Sequence, residues 1–386
     1  MRVLHVIAGV AAESGGPTEV LRQMTAELAR RGHSVSVLTT DAAGAGRRYQ
    51  LQGPGQAVFD PAVDMQVHRA LLASTPYPSF THALGSWRAP ATFDVAHVHG
   101  VFTLPVSLAM AAFRARGLPY LLRPCGMLDS YSLRQRQHLK VAWMMALDRP
   151  NLLGAARIQT STEHEAEAVR ALMPEPLHAR IVVLPQGVAA PLAASGRRPH
   201  ARPYLLFLSR IARKKGLIGL VDAFALLVRA HPELDLVLAG PDEAGHRAEV
   251  EARVQALGLE ARVLFTGAVA GSDKSDWFAA AEAFVLPSLD ENFGVVVIEA
   301  AHHGTPVVVS SEVGLALAIR RHGAGRVTTL APADLAATLN DVMATGRTSF
   351  ASGLAALAAE HAWPNLIERL EALYRDALGN SRPRVQ

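Results

Sequence analysis

Two carboxylates, Glu291 and Glu299, flank a strand-to-helix turn that the sequence predicts in the second half of the chain. The apolar run at 283–286 indicates a buried parallel strand, a Pro-Ser pair ends it, and a helix is expected to begin near Gly294. The N–H groups and positive dipole end of that helix could bind a diphosphate, and each carboxylate could accept hydroxyl hydrogen bonds from a hexose or a ribose. Taken alone, the pair also fits exposed carboxylates on a helix face.

A second predicted strand-to-helix loop carries the complementary charge. Arg210 and Lys215 follow the apolar run at 203–209, and a helical pattern continues from there to Ala230. The carboxyl ends of the strands in a doubly wound sheet open on one crevice, so both loops are expected to line the same ligand site. A guanidinium and an ammonium there would neutralise a diphosphate leaving group.

With these two segments, the chain closely resembles the retaining GT-B glycosyltransferases, specifically the large family 4 that includes bacterial polysaccharide and lipopolysaccharide transferases. The resemblance spans nearly the whole chain. It implies an α/β fold of two doubly wound Rossmann-like domains facing across a cleft. It also implies that Glu291 contacts the donor sugar, that Glu299 contacts the ribose, and that Arg210 and Lys215 hold the diphosphate.

The predicted donor contacts include glycines and neighbours of these residues. The full set is Gly15, Gly16, Arg210, Lys215, Gly267, Glu291, Asn292, Phe293, Gly294 and Glu299. Gly15 and Gly16 follow the first strand, where glycines let the backbone approach a ligand, although a plain tight turn would use them as well. Further family-like pieces stand in the expected order at 239–243, 265–267 and 304–308. Neither half has a Gly-x-Gly-x-x-Gly pattern after its first strand, which argues against a nicotinamide or flavin dinucleotide.

Strand-like and helix-like runs alternate in two sets, and this alternation predicts two doubly wound domains with parallel sheets. The first set of strands is expected near 2–8, 34–40, 94–100, 119–124, 156–160 and 181–185. The second set is expected near 204–209, 234–239, 263–266, 283–286, 306–310 and 326–329. The predicted divisions are an acceptor-binding domain at 1–187, a linker at 188–202, a nucleotide-sugar-binding domain at 203–362, and at 363–386 a tail and a helix that crosses back to the first domain in the family.

Length and composition fit this organisation. A chain of 386 residues that is 50% hydrophobic can form two domains with well-covered cores. The single cysteine, Cys125, excludes an intrachain disulfide and fits a reducing compartment. The apolar stretch at 3–12 superficially resembles a signal peptide, but it is short and runs directly into a strand-loop-helix pattern. Since no uninterrupted apolar run reaches the roughly 18 residues of a membrane span, a cytoplasmic protein is expected.

His97 and His99 lie two residues apart at the end of a predicted strand. They would face the same way and could begin a zinc site, but no third or fourth ligand is visible nearby, so no metal is expected. His99 is equally compatible with a substrate contact, which would join it to Glu291, Arg210 and Lys215 as a catalytic candidate, and with a structural histidine. An Asp-x-Asp motif is also absent, so the expected reaction requires no metal and no cofactor.

The segment 123–129 resembles a family pattern in which His or Arg often precedes Gly-Met-Leu, and Cys125 stands at that position here. In several relatives a histidine of this region touches the donor sugar, so the expected contact shifts to Arg123 or His99. Arg123, Cys125 and Asp129 are the candidate contacts to the acceptor or the sugar. Cys125 is expected to be a small residue of the cleft wall, because no base lies beside it that would make a reactive thiolate.

Positive charge is concentrated in the acceptor half. Residues 1–190 contain 18 Lys plus Arg against 13 Asp plus Glu, whereas residues 191–386 contain 20 against 21. The stretch 133–148 mixes basic with apolar residues and predicts one basic amphipathic helix, which could rest on anionic lipid near a lipid-linked acceptor. Its apolar face could equally pack on its own domain. Nucleic-acid binding is not expected, because the basic residues are scattered and aromatic residues make up only 6%.

These observations favour a metal-independent, retaining glycosyltransferase. It would move a sugar from a nucleotide-diphosphate sugar to a hydroxyl of a glycan or lipid-linked acceptor in bacterial surface polysaccharide synthesis. A sugar-nucleotide epimerase or a phosphorylase on the same fold is the alternative, although no distinct candidate for a pyridoxal-phosphate lysine is present. A catalytically silent binding subunit would not need the intact set of donor residues. The nucleotide base, the sugar, the acceptor and the linkage stay open.

Overall fold

The computed structural model describes residues 1–11, 16–42, 48, 58–68 and 92–380. The chain forms two compact units. The first comprises Met1–Gly187 and Trp363–Gln386, and the second comprises Val188–Ala362. Each unit has its own parallel sheet and its own hydrophobic core.

The described strands of the first unit form one seven-stranded parallel sheet. They are β1 (Arg2–Ile7), β2 (Ser34–Thr40), β3 (Val63–His68), β4 (Val95–His99), β5 (Tyr120–Arg123), β6 (Arg157–Thr160) and β7 (Ile181–Val183), in the spatial order β3-β2-β1-β4-β5-β6-β7. All except β3 match a predicted strand to within two residues at each end. The sequence analysis missed β3 because this edge strand alternates apolar and polar residues and lacks the continuous apolar run of a central parallel strand.

Helices connect these strands and cover the sheet. They are α1 (Gly16–Arg30), α2 (Leu104–Arg116), α3 (Ser130–Arg134), α4 (Gln137–Trp143), a π-helical turn (Met144–Asp148), α5 (Arg149–Gly154), α6 (Glu163–Arg170) and a 3₁₀ turn (Glu175–Arg180). The C-terminal helix (Trp363–Asn380) packs on α1, β4 and β5 of this unit. Its Leu366, Ile367, Leu370 and Tyr374 are at most 2% exposed, as their helical spacing predicts. Leu373, predicted to be buried with them, is only half-buried.

The prediction of one continuous helix at 133–148 is wrong. Gln135 has an extended backbone and Arg136 a left-handed φ of 54°, so the segment divides into α3 and α4. The apolar side chains of Leu139, Val141 and Met145 are 59%, 55% and 61% exposed. The interpretation that this apolar face packs on its own domain therefore does not hold for these three residues.

The second unit contains a six-stranded parallel sheet. Its strands are β8 (Tyr204–Leu208), β9 (Asp235–Ala239), β10 (Val263–Gly267), β11 (Ala283–Leu286), β12 (Val307–Ser310) and β13 (Gly325–Thr328), in the order β10-β9-β8-β11-β12-β13. All six agree with predicted strands to within two residues. The chain builds outward from β8 in one direction and then returns to place β11 on its other side, so the topological switch point lies between β8 and β11.

Helices also surround this second sheet. They are α7 (Leu217–Leu227), α8 (His246–Ala256), α9 (Gly271–Ala280), α10 (Val295–His302), α11 (Ala316–His322), α12 (Pro332–Thr345) and α13 (Ala351–Glu360). No helix within the described ranges combines the length and the apolar character that crossing a bilayer requires.

The stretch 188–202 contains no helix or strand and belongs to the second unit. The backbone N and Oγ of Ser195 donate to the Asp276 carboxylate over 2.7 and 2.6 Å. Ser275 Oγ donates to the carbonyl of Leu192 over 2.7 Å. The segment therefore lies anchored along α9.

Candidate functional site

The predicted donor residues of the second unit gather at the carboxyl end of its sheet. β8 and β11 are hydrogen-bonded neighbours, and the loops that follow them carry Lys215 and Glu291. Gly216 has a left-handed φ of 69°, and a Cβ at this position would overlap the carbonyl oxygen of Pro287. Glycine is thus required for the two loops to approach each other, and this approach places Lys215 beside Glu291.

Lys215 and Glu291 form a largely buried ion pair. Their side chains are 6% and 18% exposed, and the Lys215 Nζ donates to the Glu291 Oε2. Burial raises the pKa of the Glu291 carboxyl, but the positive charges of Lys215 and Lys214 outweigh burial, so this pKa lies below its ordinary value. The Glu291 backbone is fixed as well, because its N–H donates to Glu312 over 3.1 Å and its carbonyl accepts from Gly314 over 2.8 Å. The pair is both charged and held in place.

Arg210 lies on the same loop in a more open position. A backbone bridge between Ile211 and Asp242 holds the loop beside the segment that follows β9, and Arg210 Nη1 pairs with Glu243 there. The Arg210 and Glu243 side chains are 49% and 40% exposed, so water screens their attraction. Arg210 can therefore exchange Glu243 for a phosphate oxygen with little loss of free energy.

The N-terminus of α10 and Glu299 complete the set of donor residues in this unit. Gly294 precedes α10 with a φ of 91° and has no side chain with which to cap the helix. The Val297 N–H donates to the Gly294 carbonyl over 2.8 Å, so the first two N–H groups of α10 are the ones that could bind an anion. Glu299, on the second turn, forms an ion pair of 2.6 Å with Lys274 of α9.

The remaining predicted donor residues differ in what they can offer. Phe293 is 2% exposed and belongs to the hydrophobic core, so only its backbone is available to a ligand. Asn292 is half-buried beside Glu291, and Gly267 ends β10. In the first unit, Gly16 is the exposed first residue of α1, and Gly15 lies outside the described residues.

His97 and His99 belong to a cluster of three buried imidazoles. The third member is His5, the register partner of His97 on the adjacent strand β1, so the three side chains share one face of the sheet. His5 Nδ1 lies 3.0 Å from His99 Nε2, and His97 Nδ1 lies 2.9 Å from the Tyr374 hydroxyl. All three histidines are at most 3% exposed. The catalytic candidate His99 therefore has one ring nitrogen already committed to His5.

The imidazoles of this cluster are uncharged at neutral pH. Burial, assisted by the positive charge of Arg123, lowers the pKa of His5 to about 3. The pKa values of His97 and His99 also lie well below the ordinary value, again mainly because of burial. A third potential metal ligand, which the nearby sequence lacks, comes from the distant His5, because one nitrogen of each histidine lies within 4.8 Å of the others. The Arg123 charge opposes a cation at this point, since two buried positive charges repel.

The other acceptor-side candidates stand at and after the end of β5. Arg123 and Asp129 are each 1% exposed, and Cys125 is half-buried with a left-handed φ of 59°. Burial raises the pKa of the Cys125 thiol, which is therefore protonated at neutral pH. Glu165 of α6 fixes this loop, because its fully buried carboxylate accepts the N–H groups of Gly126 and Ser161 over 2.7 Å each.

The sequence analysis did not identify four of these residues. Glu243 stands inside the family-like piece at 239–243, and its position after a neighbouring strand was a usable signal. Nothing in the sequence indicated the other three, because their roles depend on strand order and on the packing of helices. They are His5, Glu165 and Lys274. Each becomes visible only when segments distant in sequence meet.

Two doubly wound parallel domains are the architecture expected of the GT-B class. Comparison with known families narrows this class. Residues 15–187 match the family described as "Glycosyl transferase 4-like domain", and residues 192–350 match "Glycosyl transferases group 1". Together the two matches cover most of the chain, and the predicted GT-B fold is confirmed.

Individual relatives agree with this assignment. D-inositol 3-phosphate glycosyltransferase 1 of Catenulispora acidiphila is 29% identical over 324 residues, which are 78% of this chain and 76% of that protein. The structure of sucrose-phosphate synthase from Thermosynechococcus elongatus is similar with a TM-score of 0.74 at 20% identity, over 98% of this chain and 100% of that one. The structure of Anabaena HepE in complex with UDP and glucose has a TM-score of 0.71 at 17% identity, over 96% and 98%. The two structures show a shared fold.

Proposed function

We propose that the protein transfers a sugar, with retention of anomeric configuration, from a nucleotide-diphosphate sugar to an acceptor hydroxyl. The observation that carries the proposal is the Lys215–Glu291 pair on the adjacent loops of β8 and β11. The pair puts an ammonium and a carboxylate in contact with each other, and Glu291 lies four residues before the N-terminus of α10. A sugar diphosphate needs both kinds of group, a cation for its charge and a carboxylate for its hydroxyls.

In the proposed reaction, Arg210, Lys215 and the N–H groups of α10 stabilise the charge that develops on the departing diphosphate. Glu291 accepts sugar hydroxyls and fixes the orientation of the ring, and Glu299 accepts the ribose diol. The acceptor hydroxyl attacks from the face that the diphosphate leaves, and a diphosphate oxygen takes its proton. Glu291 orients the sugar and forms no covalent bond with it.

Two acceptor classes are supported by different observations. The exposed apolar and basic residues of α3 and α4 support a glycan or lipid-linked acceptor of surface polysaccharide synthesis, met by a cytoplasmic protein on the inner membrane face. The name of the relative "D-inositol 3-phosphate glycosyltransferase 1" supports a small phosphorylated acceptor. An epimerase or phosphorylase is less favoured, because both matched families are glycosyl transferases.

The test begins with the donor. Nucleotide sugars are screened by thermal shift, since a ligand at 100 times its dissociation constant adds about 2.7 kcal/mol to the free energy of unfolding. With the donor identified, Lys215→Ala should lower kcat about 100-fold or more, because the leaving-group charge loses its ammonium. The matched control is Arg213→Ala, which removes a 75% exposed cation from the same loop and should leave turnover within about threefold.

Near-normal turnover of the Lys215→Ala protein would refute the donor site. Retention of configuration is tested separately, because NMR of the fresh product shows its anomeric configuration. Inversion would refute the same-face attack and leave the transferase activity intact.

Activity is also proposed to be independent of metal ions, because Arg210, Lys215 and the α10 N-terminus provide the positive charge. Treatment with EDTA followed by gel filtration should leave the rate within about twofold. Loss of activity that a single divalent ion restores would show that the diphosphate is held by a metal.

A further inference from the structure

Arg123 is a buried guanidinium whose N–H groups are not all satisfied. It ends β5 and is 1% exposed, and its Nε and Nη1 make no hydrogen bond to any residue in the described ranges. Unmet N–H groups of a buried charged side chain cost free energy, and such groups usually mark the place of an ion or ligand. An acceptor of negative charge would satisfy them.

Two buried carboxylates, those of Glu165 and Asp129, lie on segments near Arg123. Both oxygens of Glu165 are occupied by the N–H groups of Gly126 and Ser161. The histidines beside Arg123 carry no charge at neutral pH, so they neither neutralise the guanidinium nor compete with it. The positive charge at the end of β5 therefore comes from Arg123.

His99 supplies a second polar group on the same face of the sheet. It is the register partner of Arg123 on the adjacent strand, and its Nδ1 is buried without a hydrogen-bond partner in the described part of the chain. An imidazole N–H next to a guanidinium is a donor set that suits the several oxygens of a phosphate.

We propose that Arg123 and His99 bind a phosphate group, and that the glycosyl acceptor carries this group. The statement that the acceptor carries this phosphate rests on the proposed function. A phosphorylated sugar or cyclitol and a lipid-linked diphosphate share the same binding chemistry at this site. The site selects acceptors by charge, whereas the residues of the second unit select the donor.

The His5–His99 hydrogen bond determines which proton His99 can offer. One proton lies between His5 Nδ1 and His99 Nε2, which are 3.0 Å apart. If His5 donates, the neutral His99 carries its own proton on Nδ1 and can donate it to phosphate. Phosphate should therefore fix the tautomers so that His5 Nδ1 and His99 Nδ1 are protonated.

The first test measures the binding of inorganic phosphate to the full chain by calorimetry, in a Lys215→Ala background that weakens anion binding at the donor loops. Arg123→Met should weaken the phosphate affinity about 10-fold or more, because charge-assisted hydrogen bonds are lost. Arg180→Met, which removes another part-buried arginine of this unit, should bind phosphate as the background does. Unchanged phosphate affinity in the Arg123→Met protein overturns the proposal, and so does acetate binding as tight as phosphate binding.

A second measurement separates a binding role from a structural one. Without phosphate, the Arg123→Met protein should melt no lower than its parent, because the Arg123 Nε and Nη1 donate no hydrogen bond to a described residue; a large fall in Tm would show a structural arginine. In ¹⁵N NMR of histidine-labelled protein, phosphate should shift His99 to the Nδ1-protonated tautomer, with the signal assigned by His99→Gln. A His99 signal that does not change at saturating phosphate overturns the proposal that His99 contacts phosphate.

The two levels of the proposal fail separately. Phosphate binding that depends on Arg123, in a protein that transfers no sugar, supports the anion site and refutes the proposed function. With an active protein, the acceptor is tested by comparing a sugar phosphate in solution with a lipid diphosphate in vesicles. Arg123→Met should raise the KM of the true acceptor about 10-fold or more. An acceptor without phosphate that works equally well in both proteins overturns the acceptor assignment.

Discussion

Three ion pairs hold the charged donor residues of the second unit, and they differ in burial. Lys215–Glu291 is largely buried, Lys274–Glu299 is partly buried, and Arg210–Glu243 is about half exposed. Removing one partner of a buried pair leaves a more costly unpaired charge than removing one partner of an exposed pair. A donor that binds as proposed must therefore replace the Lys215–Glu291 contacts with equally good ones, while it can displace Glu243 from Arg210 easily.

This difference predicts the outcome of a double-mutant cycle on stability. Lys215→Met and Glu291→Gln should each destabilise the protein, and the double variant should be more stable than the sum of the two changes predicts, by about 1–2 kcal/mol. The cycle is measured by urea unfolding. The exposed pair Arg213–Glu249 serves as the control and should show a coupling of about 0.5 kcal/mol or less. Equal coupling in the two cycles would contradict the burial argument.

At this scale the sequence was informative where a residue's role depends on its own loop. Lys215 and Glu291 could be predicted to meet, because both follow buried parallel strands and such strand ends share one edge. The position of Glu243 after a neighbouring strand indicated a contact with Arg210, whereas nothing indicated Lys274, because its salt bridge depends on which helices are neighbours. The burial of Phe293 could not be predicted either, since its position in the motif does not indicate whether the ring faces a ligand or the core.

The elements themselves were largely predictable. Central parallel strands are buried on both faces, so they stand out as continuous apolar runs, and twelve of the thirteen described strands were found in this way. The edge strand β3 has no such run. The break at Gln135 and Arg136 was also hidden, because apolar spacing records which face of a helix is buried and not whether its backbone continues.

The broken segment changes the membrane prediction and sharpens its test. Lys140 donates to the carbonyl of Ser132 over 2.5 Å, so its substitution would disturb the fold. Arg134 and Arg136 are exposed beside the exposed Leu139. The protein should co-sediment with anionic vesicles more than with neutral ones, and salt should release it, because charges are screened over about 10 Å at 0.1 M.

A double variant checks which surface is responsible. Arg134→Gln with Arg136→Gln should reduce vesicle binding several-fold, since each basic residue near an anionic surface contributes about 1 kcal/mol. Arg229→Gln with Arg320→Gln removes the same charge from exposed positions of the second unit and should leave binding unchanged. An equal effect of both variants would mean that net charge, and not this segment, attracts the lipid.

For the whole molecule, the buried histidine cluster predicts how stability depends on pH. The pKa of His5, at about 3, and those of His97 and His99 lie below the unfolded-chain value of about 6.5. Below about pH 6.5 these three histidines therefore bind protons in the unfolded chain but not in the folded chain. The free energy of unfolding should fall with decreasing pH by up to about 1.4 kcal/mol per pH unit for each histidine.

Urea unfolding between about pH 5 and 7 measures this slope. His97→Phe should reduce it by the contribution of one group. The pKa values of His302 and His361 are lowered too, so some slope should persist in every variant of the cluster. A slope that is unchanged in the His97→Phe protein would mean that His97 does not titrate differently on unfolding.

The chain leaves the first unit and returns to it at adjoining points. The N–H of Val188 donates to the carbonyl of His361 over 2.8 Å, and a Cβ on Gly187 would overlap the indole of Trp363. The second unit is thus a single uninterrupted stretch of the gene with neighbouring ends, inserted into a host that is itself split. Its coding sequence is bounded by only two junctions, at 187/188 and 362/363, whereas the first unit is encoded in two pieces that would have to be joined to obtain it on its own.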